Sequence, residues 1–414
     1  MTASAPLSTA FDQVKIASVR EHSVLVTDGE QRSALAVVRA LGRAGHRITV
    51  CSNRSRCLAG ASRYVDHFAR VPDPLREPQA FIEELSRLVR HSEVDVVIPV
   101  TDASMLAALE GADRLAPAAL PVADLESYRG VSDKEAVLRV APRFGIAVPG
   151  QQILGRDEAR AVDKIDVPYP VVVKPARSVG EHEGRRAHFT VRYARDAAEL
   201  TSIVQNANPA AFPLLLQQRV VGPGIGVFLL IWDGETVAAF SHRRLREKPP
   251  SGGVSVYRES VAADPDLVAR SRALLEHFGW RGVAMIEYKI DERTGTPYLM
   301  EINGRFWGSL QLAIDAGVDF PNLLLSAAVD GERPCAPKYR LGVRSRWWWG
   351  DVDQLITRLR RSPHMLALPD NSPTKWQAVR EFMRLWGAAD HNEILRLDDP
   401  WPFVRETIDW FRNK

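Results

Sequence analysis

Glu301 and Asn303 stand two positions apart in PYLMEINGRFWGS, residues 297–309, a stretch that begins like a buried strand with Tyr298, Leu299, Met300 and Ile302. Strand side chains alternate faces with a period of two, so this carboxylate and this carboxamide point the same way. Neither belongs in an apolar core without a partner. VAMIEYK (283–289) offers one. A turn near Thr294-Gly295 pairs the two strands antiparallel and sets Glu287 opposite Glu301. Like charges directly opposite destabilise a sheet, and burial makes matters worse. Glu287, Glu301 and Asn303 on one face make sense around a hard divalent cation. Mg²⁺ is the natural choice, because it takes oxygen ligands and is shared between a few carboxylates and substrate phosphates. A register offset by one or two residues would leave the same groups as solvated edge charges.

A site of this kind needs cations for a triphosphate. Lys174 ends the apolar strand PVVV, so its ammonium emerges where the chain opens into the polar loop ARSVGEHEGRR (176–186). That loop could fold over phosphates and exclude water. Lys134 lies just inside a helix N-terminus, against the helix dipole, and a bound anion explains it better than folding does. Each lysine alone reads as a surface charge; beside the carboxylates they read as phosphate ligands. SHRRLREKPPSGGVSVYRES (241–260) is the place for substrate contacts. Arg243, Arg244 and Lys248 are dense there, and Gly252-Gly253 lets backbone N–H groups approach an anion. The competing reading is a solvated charged loop.

The elements that must hold these groups change character along the chain. Residues 23–130 alternate strands (SVLV, RITVCS, VDVVIPVT) with helical segments (QRSALAVVRALGRAG, and DASMLAALEG with Asp102 as cap), which argues for a parallel sheet with crossover helices. TDGEQR is not GxGxxG, so this domain is expected to serve structure or substrate, not a dinucleotide. SDKEAVLRVAPRFGIAVP then reads as a helix capped by Ser132 or Asp133 and stopped near Gly145. Asp233-Gly234 marks one hairpin and Thr294-Gly295 another. From Gly331 the chain is expected to be helical and tryptophan-rich, with Trp347, Trp348, Trp349, Trp376, Trp386, Trp401 and Trp410. Core packing is the favoured role for those rings; a partner surface is the alternative.

SDK, GIAVP, YPVVVKP, LLLQQRVVG, VAMIEYK and YLMEINGRFWG, in this order and spacing, resemble the ATP-grasp superfamily over residues 130–330. The preceding domain is similar to the Rossmann-like domain found before many ATP-grasp modules. The resemblance implies an α/β and α+β protein: a tail over 1–20, a Rossmann-like domain over 21–130, an ATP-grasp domain over 131–330 with a lid at about 168–218, and a helical extension over 331–414. It implies ATP between two subdomains, with the adenine at a hinge of Gln217, Gln218, Arg219, Val220 and Val221. Lys134 and Lys174 would hold phosphates or the adenine edge. Glu287, Glu301 and Asn303 would ligate Mg²⁺, or Mn²⁺ in its place, and Arg305 would lie by the transferring phosphoryl group. Two departures stand out: Gln218 replaces a common glutamate, and the covering loop is poor in glycine, so His182, Arg185 and Arg186 are candidates for side-chain contacts.

The implied activity is a carboxylate–amine ligase working through an acyl phosphate. A phosphotransferase on the same scaffold and a non-catalytic nucleotide-binding protein are the rivals. Bulk properties agree with a globular enzyme: 414 residues, 45% hydrophobic, 25% charged and a net charge of +3, without the basic stripes of a nucleic-acid binder. The 3 cysteines, Cys51, Cys57 and Cys335, make neither a disulfide framework nor a zinc site. With no signal peptide and no run long enough to span a bilayer, a cytoplasmic protein is expected. Its partners would be a small carboxylate and an amine, with a homodimer as one use of the N-terminal domain. No Walker loop, GxSxG or HExxH occurs.

Overall fold

The computed structural model describes residues 20–159, 165–332 and 338–412, apart from positions 367, 370, 371, 385, 386 and 388. Most of the expected N-terminal tail, Cys335 and Trp386 lie outside the described residues.

The chain starts with β1 (Ser23–Val26), α1 (Arg32–Arg43), β2 (Arg47–Ser52), β3 (His67–Arg70), α2 (Pro78–His91), β4 (Val96–Ile98), α3 (Asp102–Glu110) and α4 (Ala112–Leu115). The strands form a parallel sheet in the order β3-β2-β1-β4. β1 and β4 are buried throughout, as parallel strands covered on both faces must be. Beyond the carboxyl ends of β1 and β4, Gln31 and the first residues of α1 and α3, Arg32 and Asp102, line a cleft shared with the rest of the molecule. Asp102 is not the cap that its position suggested. Thr101 caps α3, with a reciprocal Thr101–Ser104 capping box, which leaves the Asp102 carboxylate free for other work.

α5 (Leu125–Ser132) and α6 (Lys134–Val140) follow, α6 being capped by the Asp133 side chain. Next come β5 (Gln151–Leu154), β6 (Val171–Pro175), β7 (Val179–His182), β8 (Arg185–His188), β9 (Arg192–Ala194), α7 (Ala197–Gln205) and β10 (Leu214–Gln218). An antiparallel sheet in the order β5-β10-β6-β9 packs its own core of Val171, Val173, Leu200, Ile203, Leu214 and Leu216 under α7. This small unit starts at β5, earlier than the lid boundary near 168, because β5 pairs with β10 along Gln151–Leu154. The stretch read as a polar loop is a β7–β8 hairpin. Its turn residues Glu183 and Gly184 both have positive φ, 51° and 72°, a two-residue turn in which the expected asparagine is replaced by glutamate.

A seven-stranded sheet is built from β11 (Gly224–Trp232), β12 (Glu235–Lys248), β13 (Val254–Ser260), β14 (Gly282–Ile290), β15 (Pro297–Asn303), β16 (Arg344–Arg346) and β17 (Asp390–Asn392), with α8 (Pro265–His277), α9 (Leu310–Ala316) and α10 (Phe320–Ala328) between them. Its order is β15-β14-β11-β12-β13-β16-β17. β11 is apolar on both faces. Phe228 and Leu230 join a core with α1, α9 and α10, while Val227, Leu229 and Ile231 join a second core with α5, α6 and α8. The final helices are α11 (Trp348–Arg360), α12 (Lys375–Met383) and α13 (Trp401–Arg412). The C-terminal region is therefore not purely helical: β16 and β17 extend the main sheet. Trp349 stacks on Trp410 at 4.2 Å and Trp347 donates to Glu406, whereas Trp376 is 83% and Trp401 64% exposed.

Candidate active site

The small sheet and the seven-stranded sheet face each other across a cleft of about 950 Å³. Glu287 and Glu301 are direct cross-strand partners on β14 and β15, as the hairpin turn required. Both side chains are inside the cleft and both feel desolvation, yet they respond differently. Burial pushes the Glu287 carboxyl up, Glu301 adds to this, and Arg244 offsets only part of it. Burial also acts to raise Glu301, but Lys134 and Lys174 outweigh it and hold that carboxyl below its ordinary range. Lys134 Nζ lies 3.3 Å from Glu301 Oε2 and 3.1 Å from Ser178 Oγ.

Arg244 reaches Glu287 from two strands away. Its Nη1 is 2.8 Å from Glu287 Oε1, and its Nη2 bonds Oε2 of the same carboxylate. The intervening strand β11 carries glycine where the arginine stem crosses: a Cβ on Gly224 would sit 2.7 Å from Arg244 Cδ. The sequence GPGIG therefore opens a lane for a guanidinium over the sheet. Arg244 Nη1 also bonds Glu247 Oε1 at 2.9 Å and the Gly253 carbonyl at 3.1 Å, which brings the Gly252-Gly253 turn to the cleft wall.

Asn303 Nδ2 donates to Glu301 Oε1 at 3.2 Å, and its Oδ1 accepts from Arg305 Nη2 at 3.1 Å. Arg305 is clamped by Asp102, with Nε to Oδ1 at 3.0 Å and Nη2 to Oδ2 at 2.9 Å. Burial opposes charge on both, and each more than restores the other: Asp102 titrates below and Arg305 above its ordinary value. Lys174 has no such clamp. It is 8% exposed, its Nζ lies 3.8 Å from Met300 Sδ, and burial lowers its pKa to about 8 despite Glu301 and Glu287.

Gln217, Gln218, Arg219, Val220 and Val221 all line the cleft, with Gln217 buried and bonded to Gln151 Oε1 at 2.6 Å. Lys248, Gly252 and Gly253 line it too, with Lys248 Nζ 2.5 Å from Asp353 Oδ2. Arg243 does not. It alternates to the other side of β12 from Arg244 and pairs with Glu259 at 2.9 Å. His182, Arg185 and Arg186 are also outside the cleft wall, since the β7–β8 hairpin directs Arg186 to Glu110 on α3 at 2.5 Å. Residues that sequence reasoning missed are Asp102, Ser178, Glu247 and Lys289, together with Gln354, Arg358 and Glu381 from the C-terminal helices. Only the GPGIG pattern and the polar face of α11 could have signalled any of them.

The donor set of Glu287, Glu301 and Asn303 consists of oxygens only, which suits Mg²⁺. Among the described residues no group of three or more His, Cys, Asp or Glu side chains able to hold a metal is found. Burial, with the repulsion of Glu301 added, leaves Glu287 raised, and a cation in the cleft would relieve both.

Two sheets closing on this cleft make an ATP-grasp fold. Residues 211–349 match the family model described as "ATP-grasp in the biosynthetic pathway with Ter operon". The large chain of carbamoyl phosphate synthase from Thermus thermophilus is 23% identical over 318 residues, 71% of this chain but only 29% of that one. The L-amino acid ligase of Bacillus licheniformis superposes with a TM-score of 0.59 at 18% identity, covering 75% of this chain and 74% of the other. The biotin carboxylase domain dimer of Hydrogenobacter thermophilus 2-oxoglutarate carboxylase, in complex with MgADP, ADP and bicarbonate, gives 0.60 at 17%, covering 78% and 73%. Among the described residues no helix is long and apolar enough to cross a membrane.

Proposed function

We propose that this protein is an ATP- and Mg²⁺-dependent ligase that activates a carboxylate as an acyl phosphate and joins it to an amine. The observation that carries the proposal is the opposed Glu287–Glu301 pair, set among Lys134, Lys174 and Arg244 in one cleft. The names of the similar proteins support it, one being a ligase and another a biotin carboxylase domain captured with MgADP.

In this reading the hinge at Gln217–Val221 presents backbone groups to the adenine. Lys174 and Lys134 neutralise phosphate oxygens. The substrate carboxylate oxygen attacks the γ-phosphorus, the bond to the ADP oxygen breaks, and Arg305, fixed by Asp102, meets the charge spread over the equatorial oxygens. The amine then attacks the acyl carbon, inorganic phosphate leaves with the bonding pair, and the amine proton passes to solvent or phosphate. Glu287, Glu301 and Asn303 would hold Mg²⁺, which when bound would supply further neutralisation of phosphate charge. The protein's task is positioning and charge stabilisation more than acid–base chemistry. A cytoplasmic setting fits the buried free thiols Cys51 and Cys57.

The test is ADP and phosphate release with pooled amino acids and other carboxylates, with and without an amine. A ligase frees ADP and inorganic phosphate in equal amounts when both substrates are present. Stable phosphate on the substrate would make the protein a phosphotransferase, and nucleotide binding without turnover would make it a binding protein.

A further inference from the structure

α11 buries the wrong face for a structural helix. Its buried side chains include Asp351, Gln354 and Arg358, spaced three and four apart along one stripe, while Leu359 on another face is 39% exposed. Amphipathic helices turn their apolar stripe inward, so a buried polar stripe needs partners. Asp351 has them: Arg246 Nε at 2.7 Å and Arg346 Nε at 2.6 Å. Gln354 and Arg358 point instead to the cleft wall, which Glu381 of α12 also lines.

Arg358 stands apart from most cations of the cleft. Arg244, Arg246, Arg305, Lys134 and Lys248 each hold a carboxylate. Arg358 is only 8% exposed, and one of its nitrogens donates to the Pro373 carbonyl. Burial lowers its pKa, and Glu381 is the one opposite charge that acts on it. Among the described residues no carboxylate comes within ion-pairing distance. Lys174 and Arg219 also lack such a partner, but they lie on the strand and hinge assigned to the nucleotide. A guanidinium 8% exposed on the cleft wall, whose described hydrogen bond goes to a carbonyl and not to a carboxylate, suits an anion supplied from outside.

Its place limits what that anion is. α11 packs on β12 and β13, so it lies at least two strand spacings, about 10 Å, from the Glu287 strand β14. The strands β14 and β15, which carry Glu287, Glu301 and Asn303, lie beyond β11 from it, so an anion held by Arg358 sits on the side of the cleft walled by the C-terminal helices.

We infer that Arg358 and Gln354 form a second recognition site, which binds a carboxylate of the substrate other than the one being activated. The substrate class is then a dicarboxylic acid or an acid bearing a remote carboxylate, with its distal end held by the C-terminal helices. Arg358 is a specificity-determining residue that touches no reacting atom. This inference rests on the ligase reading for its chemistry but not for its binding site.

The test is binding to the full-length protein with MgADP present, followed by calorimetry and thermal shift. The probes are succinate, glutarate, adipate, pimelate and suberate, with hexanoate as the monocarboxylate control. Dicarboxylates are expected to bind more tightly than hexanoate. Arg358→Gln should weaken them roughly ten- to a hundredfold and leave MgADP affinity unchanged. Gln354→Leu, which keeps the guanidinium, should weaken them less. Where turnover is measurable, Arg358→Gln should raise KM and spare kcat. Dicarboxylate binding that depends on Arg358 without any ligation would retire the ligase reading and keep the site. Ligation indifferent to Arg358→Gln, or no anion binding that depends on Arg358, overturns the inference.

Discussion

Asp102 grips Arg305 with both carboxylate oxygens, at 3.0 and 2.9 Å, across a sequence separation of 203 residues. The N-terminal parallel sheet therefore supports the cleft directly: the loop after β4 fixes the guanidinium that would face the transferring phosphoryl group. Tyr128 Oη adds a third bond, to Asp102 Oδ1 at 3.1 Å, so the carboxylate itself is held. Asp102→Asn keeps the volume and removes the charge, leaving Arg305 free to leave its post. We expect kcat to fall roughly ten- to a hundredfold, with ATP affinity changed much less. Arg305→Lys should fare no better, because an ammonium cannot take both oxygens of Asp102 and Asn303 Oδ1 at once.

Lys174 gives the site a pH signature. Its pKa is lowered from 10.5 to about 8, with burial as the main cause, so the free folded protein sheds this proton before the unfolded chain does. Stability therefore rises with pH between about 8 and 10.5, where the unfolded state binds the extra proton. Below about 8 the cost of the buried charge, about 3 kcal/mol at most, is fully present. Lys174→Met should stabilise the free protein at pH 7 and flatten that rise in urea melts. Phosphate binding restores the charge, so ATP binding should take up a proton above pH 8 and weaken as pH rises further. Calorimetry in buffers of different ionisation heat reads this uptake, and its absence would remove Lys174 from the phosphates.

Glu287 and Glu301 are already surrounded by Arg244, Lys134 and Lys174. With two negative charges against three positive ones, the free cleft has little attraction for a lone divalent cation. A triphosphate reverses that balance. We expect millimolar Mg²⁺ alone to leave the melting temperature unchanged, ATP alone to raise it slightly, and the two together to raise it by several degrees. Chelation should return the protein to the ATP-only value. Glu301→Ala should abolish the joint effect and turnover while the circular dichroism spectrum is retained, because the side chain lines the cleft and belongs to no apolar core.

The legible and illegible parts of this site divide along sequence distance. Glu287 opposite Glu301 followed from a short hairpin, where a turn at Thr294-Gly295 and a period of two leave little freedom. Lys174 at the end of an apolar strand was legible for the same local reason, whereas Gln217–Val221, which also line the cleft, were singled out only by the resemblance. Asp102 was not, since its sequence context signals only a helix start and nothing links it to Arg305. Arg243 and Arg244 were equal candidates until strand alternation sent one to Glu259 and the other over the glycines of β11 to Glu287. The β7–β8 hairpin escaped notice because Glu183-Gly184 is a weaker turn signal than Asn-Gly. β16 and β17 escaped because each is three residues long and gains its stability from a sheet edge elsewhere in the chain.

The C-terminal region gives a stability test that separates an integral part of the fold from an appendage. Asp399 is fully buried and accepts from Arg39 Nε at 2.8 Å, Ser62 Oγ at 2.7 Å and the Arg63 backbone N–H at 2.9 Å. Arg39 on α1 is equally buried and also donates to the carbonyls of Ile394 and Asp399. Removing one partner strands the other as an uncompensated buried charge. Asp399→Ala should therefore cost about 3–5 kcal/mol in urea unfolding. Arg39→Met combined with Asp399→Leu removes both charges and should recover part of that loss, although the two carbonyls and Ser62 then lose their partners. Trp376→Ser, at a ring facing solvent, should change stability by about 0.5 kcal/mol or less. If Asp399→Ala were as silent as Trp376→Ser, the segment around β17 and α13 would not be docked on α1. The α11 wall of the cleft would then lose the support it takes from Trp349 stacked on Trp410.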